Sequence, residues 1–513
     1  MIGAECLLRT LLANGVDLCL MNPGTSEMQF VAALDRVPEM RAVLALQEGV
    51  CAGAADGYAR MTGGPAATLL HLGPGLGNAL SNLHNARKAL SPVVNVVGQH
   101  STAHLQHDAP LTADIEAFAR PVSGWVRTVE QAGAMGEAAS AAVAAALGPP
   151  GRVATLIVPA DFSWSEAGDS GPAVVRPRRA LPDAGQVHQA AKALRSERNV
   201  GLLLGGSALQ ARGLAAAERV RGATGARILA HRYAARTTRG AGVPAVERIP
   251  YFPERAQALL AELERLILVE ARPPVSFFGY PGTRSTLAPE NCAFDVLAAE
   301  GQDGAGALEW LAEELGAAAG ECPHLDRPEL PKGDALTAAT VGRTVGAFLP
   351  EGAIVADESV SSAEAIWPHL AGAALHDHLP VTGGSIGQGL PVAVGAALAC
   401  PFRKVVALEA DGSAMYTPQA LWTVARERLD VTVVILANRR YRILDIEMQR
   451  TGAGAIGPRA EEMIDLTDPE LDWVKLSRGF GVEAARATNA DEFIRQFQAA
   501  IQQRGPRLIE AAI

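Results

Sequence analysis

The sequence predicts an α/β protein of three domains, each a parallel sheet flanked by helices. The chain of 513 residues is too long for one core. Short apolar runs alternate with stretches of helical periodicity along most of its length. Polar, proline-bearing segments interrupt this alternation twice. Alternating strands and helices favour parallel sheets, because each helical crossover returns the chain in its original direction.

The first predicted domain covers residues 1–165. It opens with helices predicted at 2–13 and 27–34, and its apolar runs predict strands at 18–21, 43–46, 67–70, 93–97 and 154–158. Residues 163–184 are polar and rich in proline, which indicates a linker to the next domain.

The second domain is predicted at 183–325 and the third at 333–513, with a linker at 321–332 between them. Residues 19–30 are weakly similar to 354–366, and residues 71–86 are weakly similar to 382–397, in the same order. We therefore predict that the first and last domains are related and flank a different central one.

Composition argues for a small-molecule ligand. Lys and Arg number 45 against 55 Asp and Glu, and no basic block with interleaved aromatic residues occurs, so nucleic acid is not expected as a partner. The six cysteines lack the paired spacing of a zinc site or a disulfide framework, and no apolar run has the length of a membrane helix. The expectation is a soluble, unprocessed, cytoplasmic protein.

A candidate cation site lies in the third domain. The strand predicted at 405–408 leads into an acidic loop, Asp411-Gly412-Ser413, and after a helix through Trp422 a second strand at 431–436 ends at Asn438. The two strand ends would meet at one edge of a parallel sheet. A carboxylate and an amide oxygen there suit Mg²⁺. Taken singly, Asp411-Gly412 is explained as a turn and Asn438 as a helix cap.

This stretch resembles the GDG…NN motif of thiamine diphosphate (ThDP) enzymes. Ala410-Asp411-Gly412 carries the first part, with alanine in place of the first glycine, and Ala437-Asn438 carries the second, with alanine in place of the first asparagine. The resemblance implies that Asp411, the Asn438 side chain and the Arg440 carbonyl hold Mg²⁺ against the cofactor diphosphate, beside Gly412 and Ser413.

The resemblance to the ThDP-dependent decarboxylase and synthase family covers essentially the whole chain. It is strongest toward benzoylformate decarboxylase and acetolactate synthase-like members and weakest in the middle domain. It implies a pyrimidine-binding domain at 1–165, a central domain at 183–325 and a diphosphate-binding domain at 333–513. It also implies sites between subunits of a homodimer or homotetramer.

Glu48 is the residue that the resemblance assigns to cofactor activation. The family uses a glutamate to protonate the aminopyrimidine ring, and residues 45–60 resemble the motif that bears it. Glu48 follows a strand predicted at 42–47 and opens a helix predicted at 49–60. The alternative is a first-turn acid that only interacts with the helix dipole.

The glycine-rich loop at 383–389 is a second cofactor-binding candidate. Such a loop before a helix lets backbone amides face an anionic ligand. By the resemblance, Gly384 and Ile386 contact the cofactor, with Ile386 as the apolar side chain beneath it. Ordinary core packing of Ile386 is the alternative.

Ser26 and His71 are the substrate-side candidates. They match an active-site serine and an acid/base histidine of benzoylformate decarboxylase. The alternatives are a helix N-cap for Ser26 and a hydrogen-bonded core histidine for His71. The second active-site histidine of that enzyme has no counterpart in residues 274–280, and His104 and His107 are best explained as solvated loop residues.

The leading functional hypothesis is a ThDP- and Mg²⁺-dependent enzyme that decarboxylates a 2-keto acid and releases an aldehyde. The first alternative is a carboligase of acetolactate synthase type, although residues 104–114 lack that group's phenylalanine-glutamine pair. A catalytically silent ThDP-binding homologue is the second alternative. A nicotinamide-dependent dehydrogenase, resting on Gly205-Gly206, is a distant third. The substrate, and whether FAD is bound, are left open.

Overall fold

The computed structural model describes residues 1–513 except 319, 321, 323, 324 and 334. Its strands form three sheets, of six, five and seven strands, with helices against their faces. The predicted α/β class with three domains is therefore confirmed. Among the described residues, no helix is both long and apolar enough to cross a membrane.

The first sheet is entirely parallel, in the order β2-β1-β3-β4-β6-β5. Its strands are β1 (Leu18–Asn22), β2 (Arg41–Leu44), β3 (Ala66–Leu70), β4 (Val93–Gln99), β5 (Trp125–Thr128) and β6 (Val153–Pro159). The helices around it are α1 (Gly3–Ala13), α2 (Met28–Leu34), α3 (Glu48–Thr62), α4 (Leu72–Lys88), α5 (Ile115–Ala119), α6 (Met135–Leu147) and α7 (Ala160–Trp164).

The second sheet is also parallel, in the order β10-β8-β7-β11-β12. Its region contains β7 (Val200–Leu204), β8 (Arg227–Ala230), β9 (Thr237–Arg239), β10 (Glu247–Arg248), β11 (Arg265–Val269) and β12 (Ala293–Ala298). The helices are α8 (Ala184–Ser196), α9 (Ala211–Thr224), α10 (Pro253–Leu260) and α11 (Gly304–Glu314). Strand β9 does not belong to this sheet; it forms an edge of the third sheet, where its pairing is antiparallel.

The third sheet has the order β17-β18-β16-β15-β13-β14-β9. Its own strands are β13 (Ala353–Glu358), β14 (His376–Pro380), β15 (Val405–Ala410), β16 (Val431–Ala437), β17 (Glu483–Ala487) and β18 (Arg507–Ala512). The helices are α12 (Ala338–Phe348), α13 (Ala363–Ile366), α14 (Gly389–Ala399), α15 (Asp411–Ala414), α16 (Ala420–Arg426), α17 (Arg442–Thr451), α18 (Pro458–Glu462), α19 (Trp473–Gly479) and α20 (Ala490–Gln502).

The first and third sheets share one topology. Without β9, the third sheet reads β14-β13-β15-β16-β18-β17, which is the order of β2-β1-β3-β4-β6-β5 in the first. The prediction that the two domains are related is confirmed, with one correction. Residues 382–397 precede and form the helix after the second strand, so they correspond to the start of α3 and not to residues 71–86.

The first and third domains pack through these equivalent helices, α3 and α14. Gly395 permits the approach, because a Cβ there would lie 1.9 Å from the Ala54 carbonyl oxygen. The Asn82 amide donates to the carbonyls of Gly49 (2.9 Å) and Gly387 (3.0 Å), so it ties the start of α3 to the glycine-rich loop. One apolar cluster continues from β1 and β3 through both helices to β15 and β16.

Several predicted boundaries need correction. Strand β2 ends at Leu44, so the chain between it and Glu48 is not strand, and residues 411–413 begin α15 instead of forming a loop. The first predicted linker contains no helix or strand between 165 and 183. Residues 321, 323 and 324 of the second lie outside the described residues. The domain limits 1–165, 183–325 and 333–513 stay predictions.

Candidate active site

Asp411 and Asn438 follow the ends of neighbouring strands, as the sequence predicts. Strands β15 and β16 pair in parallel, with Ala410 opposite Leu436. Asp411 is buried with 2% of its surface exposed. Its Oδ1 accepts the Gly412 N–H at 2.9 Å and its Oδ2 accepts the Arg439 N–H at 2.6 Å. Burial raises the pKa of the Asp411 carboxyl, and these two N–H donors oppose that rise.

The turn after Asn438 supplies two more oxygens. The Asn438 Oδ1 accepts the Arg440 N–H at 3.1 Å, which orients the amide. The Arg439 carbonyl accepts the Leu466 N–H at 2.9 Å, whereas no hydrogen bond in the described part of the chain ends on the Arg440 carbonyl. Among the described residues, the Arg440 carbonyl is therefore an unbonded backbone acceptor of this turn, as is the Asn438 carbonyl.

These donors fit Mg²⁺ better than a transition metal. Among the described residues, no group of three or more His, Cys, Asp or Glu side chains is placed to hold a metal ion. One carboxylate, one amide oxygen and one carbonyl leave coordination positions for a phosphate and water, which is how Mg²⁺ is commonly bound. Asp411, Asn438 and Arg440 thus match the chemistry of the ligand set predicted for them.

The guanidinium groups of Arg439 and Arg440 pair with nearby carboxylates. Arg440 pairs with Asp445 (2.7 Å) and Glu461 (2.8 Å). Arg439 has a φ of 55° and its guanidinium lies 2.8 Å from Glu470. These pairs hold the turn, because they tie it to α17 and α18 on one side and to the segment before α19 on the other.

The glycine-rich loop is held by a carboxylate that sequence reasoning missed. Glu358, the last residue of β13, accepts the N–H groups of Gly387 (2.5 Å), Gln388 (2.8 Å) and Gly389 (2.5 Å). Gly384 has a φ of 78°, and a Cβ there would lie 2.4 Å from the Phe277 ring. Glycine is thus needed at 384 for both backbone conformation and space, and half-buried Ile386 follows it.

A second buried carboxyl, Glu409, lies beside Glu358. The two are opposite each other in the register of β13 and β15. Glu409 is fully buried and neither of its oxygens has a hydrogen-bond partner. Burial raises the pKa of Glu358 to about 7, and burial together with Glu358 raises the pKa of Glu409 well above its ordinary value. An acidic residue inside the apolar run 405–410 was the available signal in the sequence.

Glu48 begins α3 and is held by two neutral amides. Asn22 Nδ2 donates to its Oε1 at 3.1 Å, and Asn78 Nδ2 donates to its Oε2 at 3.0 Å. The residue is 7% exposed. The helix-dipole explanation alone does not account for this arrangement, because two side chains from other elements fix the carboxylate. Its position at the carboxyl edge of the first sheet is as predicted.

His71 precedes α4 and is paired with a buried acid, Glu27. His71 Nδ1 lies 2.8 Å from Glu27 Oε2, which also accepts the Gly24 N–H at 2.8 Å. Glu27 is fully buried, and this burial raises the pKa of its carboxyl. A Cβ on Gly24 would lie 2.3 Å from the imidazole, so glycine is required there. Sequence reasoning noted Glu27 only as a helix start.

Ser26 lies in the 3₁₀ turn Thr25–Glu27 whose N-cap is Gly24, so the N-cap explanation for Ser26 is wrong. Ser26 is half-buried and adjoins Glu27, while Thr25 is exposed. His104 and His107 are exposed and contact each other through their rings, 5.6 Å apart. Their solvated placement agrees with the interpretation made from the sequence.

A cavity of about 310 Å³ adjoins the glycine-rich loop. Five aromatic rings of the middle domain form much of its wall, although the low aromatic content gave no sign of this. The Phe277 ring is central and lies 5.4 Å from Tyr233, 5.5 Å from Tyr251 and 4.8 Å from Phe278. Ile386 and the apolar side of α17 complete the wall. Residues 274–280 therefore reach the site without supplying a histidine.

The glycine turn of the middle domain, Gly205-Gly206, is occupied by a carboxylate from the same domain. Glu270, at the end of β11, accepts the Ser207 N–H at 2.7 Å and pairs with Arg179 at 2.8 Å. A Cβ on Gly206 would lie 2.5 Å from the Glu270 Oε1. A dinucleotide phosphate at this turn would meet a buried negative charge. The turn is therefore structural, which removes the feature that suggested a dehydrogenase.

The polar residues thus form two sets on related domains. Glu48, His71 and Ser26 lie at the carboxyl edge of the first sheet, and the Asp411, Gly412, Ser413, Asn438 and Arg440 set lies at that of the third. Ser413 is buried in α15 beside Gly412. Ligands of parallel α/β sheets bind outside the carboxyl ends of the strands, so the two sets indicate an enzyme with a ligand or cofactor at these edges.

Comparison with known proteins identifies that class. Residues 1–118 match the family model of the thiamine pyrophosphate enzyme N-terminal TPP binding domain, and residues 365–511 match that of the C-terminal TPP binding domain. The chain belongs to the thiamine pyrophosphate (ThDP) enzymes. The predicted family and the ThDP cofactor are confirmed, while Mg²⁺ stays a prediction.

Relatives that align along nearly the whole chain are named for two different activities. The chain is 51% identical over all of its length and 99% of the relative to a Mycobacterium tuberculosis protein named "Putative acetolactate synthase large subunit IlvX". It is 31% identical to benzoylformate decarboxylase of Pseudomonas aeruginosa, over 97% of this chain and 96% of the relative. The solved structure of the Rhodococcus jostii ThDP-dependent 4-hydroxybenzoylformate decarboxylase superposes with a TM-score of 0.87 at 25% identity, covering 100% of this chain and 99% of that one.

Proposed function

We propose that this enzyme uses ThDP and Mg²⁺ to decarboxylate a 2-keto acid and release an aldehyde. The observation that carries the proposal is the position of Glu48. The side-chain amides of Asn22 and Asn78 donate to its carboxylate, and the residue is almost completely buried at the carboxyl edge of the first sheet. Amide donors fix a carboxyl group without neutralising it by an ion pair, so the group can still exchange a proton. A protein that only binds the cofactor has no need of such an acid.

The third domain would hold the cofactor. Asp411, Asn438 and the Arg440 carbonyl would bind Mg²⁺, and Gly412 and Ser413 at the start of α15 would lie against the diphosphate. Gly384 and Ile386 would contact the middle of the cofactor. When bound, ThDP would supply a thiazolium ring whose deprotonated carbon can add to a keto group and whose ring can accept the electron pair left when CO₂ departs.

The first domain would move the protons. Glu48 would give a proton to the aminopyrimidine ring and take it back in each turnover. His71 would bind the substrate carboxylate and later protonate the product, with its ring oriented by Glu27 through Nδ1. The Ser26 hydroxyl would hydrogen-bond to the substrate. Replacement of Ser26 by alanine is expected to raise KM about 3- to 10-fold, which is the value of one neutral hydrogen bond.

A carboligase of acetolactate synthase type is the second candidate. The name of the 51% identical mycobacterial relative favours it. The two reactions would share Glu48 and the residues that hold the cofactor, and they differ in whether the final electrophile is a proton or a second carbonyl compound.

Product analysis separates these candidates. Purified protein with ThDP and Mg²⁺ would be given a panel of 2-keto acids, with and without an aldehyde acceptor, and CO₂, aldehyde and ligated product would be measured. CO₂ with an equal amount of aldehyde supports the proposal, and CO₂ with ligated product supports the carboligase. Glu48→Gln is the inactive control, and Glu39→Gln, which removes the same charge from an exposed position, is the matched one. Equal, slow CO₂ release from wild type and Glu48→Gln would show a silent homologue.

We also propose that each site joins the first domain of one subunit to the third domain of another. Within the chain, no hydrogen bond between described residues links the Glu48 set to the Asp411 set. Co-expressed Glu48→Gln and Asp411→Asn chains would then regain about a quarter of wild-type activity, since half of the dimers are mixed and each has one intact site. No regained activity would show that both halves come from one chain.

A further inference from the structure

Among the described residues, the cavity beside Ile386 has one arginine in its wall that forms no direct ion pair with a carboxylate. Two arginines and four carboxylates line it: Arg232, Arg248, Asp357, Glu358, Glu364 and Glu447. Each carboxylate already has partners. Asp357 accepts from His378 at 3.0 Å and from the Ser359 N–H at 3.0 Å. Glu358 accepts the three loop N–H groups described above.

The other charged side chains of the cavity wall also have hydrogen-bond or ion-pair partners, with one exception. Glu447 accepts the Tyr280 hydroxyl at 3.0 Å. Glu364 lies 3.5 Å from Arg232 and 2.9 Å from Arg255. Arg248, however, has no carboxylate within ion-pair distance among the described residues, and its one hydrogen bond there is a long one of 3.5 Å to the Ala363 carbonyl.

The Arg248 guanidinium is nevertheless held in place. Its central carbon lies 3.8 Å from the Trp367 ring centroid, and the Trp367 ring packs edge-on against His378 at 5.0 Å. Burial and the nearby Arg232 lower the pKa of Arg248 to about 9, which leaves it charged at neutral pH. A fixed, unpaired guanidinium in a largely apolar cavity is costly unless an anion binds to it.

We propose that Arg248 binds a second anionic group on the substrate, at the end of its side chain remote from the keto acid. The inference rests on the proposed function, since it takes this cavity as the substrate site. The substrate class is then a 2-keto acid with an apolar or aromatic body that ends in a carboxylate or a similar anion. The aromatic rings around Phe277 contact the body, and Arg248 pairs with the terminal group.

The reacting carboxylate is the weaker candidate for this pairing. Decarboxylation converts it into neutral CO₂, so an ion pair with arginine would stabilise the ground state more than the transition state. A terminal anion keeps its charge throughout the reaction. Its ion pair therefore strengthens substrate binding without opposing the chemical step.

Matched substrate pairs test the proposal. 2-Ketoadipate and 2-ketohexanoate differ only in a terminal carboxylate, as do 4-carboxyphenylglyoxylate and phenylglyoxylate. For at least one pair, wild-type holoenzyme is expected to have a kcat/KM about 10- to 100-fold higher for the dianion, as one charged hydrogen-bonded pair provides. Arg248→Met should abolish that preference and leave kcat/KM for the monoanion within about threefold.

Arg198→Met is the matched control. It removes the same charge from the same domain, at an exposed position outside the cavity wall, and it should keep the preference. The proposal is wrong if wild type does not distinguish the members of either pair, or if Arg248→Met lowers kcat/KM equally for both members, which a purely structural role would do.

A binding measurement separates this proposal from the proposed function. Calorimetry with adipate and hexanoate, which lack the keto group, needs no turnover. Adipate binding to wild type that is lost in Arg248→Met supports the anion site, even if no 2-keto acid releases CO₂. CO₂ release from the panel, with no difference in adipate binding between wild type and Arg248→Met, overturns the anion site and leaves the proposed function standing.

Discussion

The first and third domains each have a polar residue at the end of their first strand, but one of these residues donates a hydrogen bond and the other accepts hydrogen bonds. Asn22 ends β1 and Glu358 ends β13, and these strands correspond. Each contacts the start of the helix that follows the next strand. Asn22 donates to the carboxylate of Glu48, whereas Glu358 accepts backbone N–H groups of residues 387–389.

This difference shows how one fold supplies two functions. In the first domain the helix start carries a reactive acid, and a neutral amide positions it without removing its proton-transfer capacity. In the third domain the helix start carries no acid, and a carboxylate is used to build a glycine-rich loop. The proton chemistry thus belongs to the first domain and the cofactor anchoring to the third.

The largest expected effect on cofactor affinity comes from removing the anchor. Asp411→Asn keeps the shape of the side chain but loses the charge that Mg²⁺ requires, so we expect Mg²⁺-dependent ThDP affinity to fall at least about 100-fold. Calorimetric titration of ThDP at several Mg²⁺ concentrations measures this. Unchanged affinity would mean that the cation site lies elsewhere.

An intermediate effect is expected at the His71 and Glu27 pair of the first domain. His71→Gln should lower kcat about 100-fold if the imidazole transfers a proton, and Glu27→Gln should lower it in the same direction by a smaller factor. Because the two side chains act as a unit, the double variant should be no slower than His71→Gln alone. Independent, additive losses in kcat would argue against an orienting role for Glu27.

The smallest effect concerns the buried carboxyls of the third domain. Glu358 has a folded-state pKa of about 7, above its usual 4.5, and the pKa of Glu409 is also raised. The folded state therefore keeps protons that the unfolded chain has released. The free energy of unfolding should fall as pH rises from about 4.5 to 7, and on further as Glu409 ionises, by on the order of 1–3 kcal/mol.

Glu409→Gln should make this decline shallower, since an amide cannot ionise. Denaturant unfolding from pH 5 to 9 would compare this variant with wild type and with Glu39→Gln. An equally steep decline in all three proteins would show that the pair does not govern the pH dependence.

Sequence reasoning recovered the parts of the fold and site that depend on local pattern. The apolar run at 154–158 lies within β6, and Asp411 and Asn438 were found because adjacent parallel strands bring their ends together. The strand order shared by the first and third domains supports the weak internal similarity. Because the identity is weak, residues 382–397 were matched to residues 71–86, although they correspond to the start of α3.

Long-range contacts escaped the sequence for physical reasons. Glu27 meets His71 across 44 residues, and Glu358 meets Gly387 across 29. No hydrophobic periodicity or motif in the sequence indicates which buried acid contacts which loop. The aromatic wall around Phe277 was missed for the same reason, because its rings are dispersed along the middle domain and gather only on folding.

The central claim is that the first domain transfers protons while the third anchors the cofactor, and Glu48→Gln tests it most directly. ThDP binding and CO₂ release would be measured on the same preparation of this variant. We predict ThDP affinity within a few-fold of wild type and a loss of turnover of about 10²- to 10⁴-fold. Turnover close to wild type, or a loss of ThDP affinity as large as that of Asp411→Asn, would contradict the account.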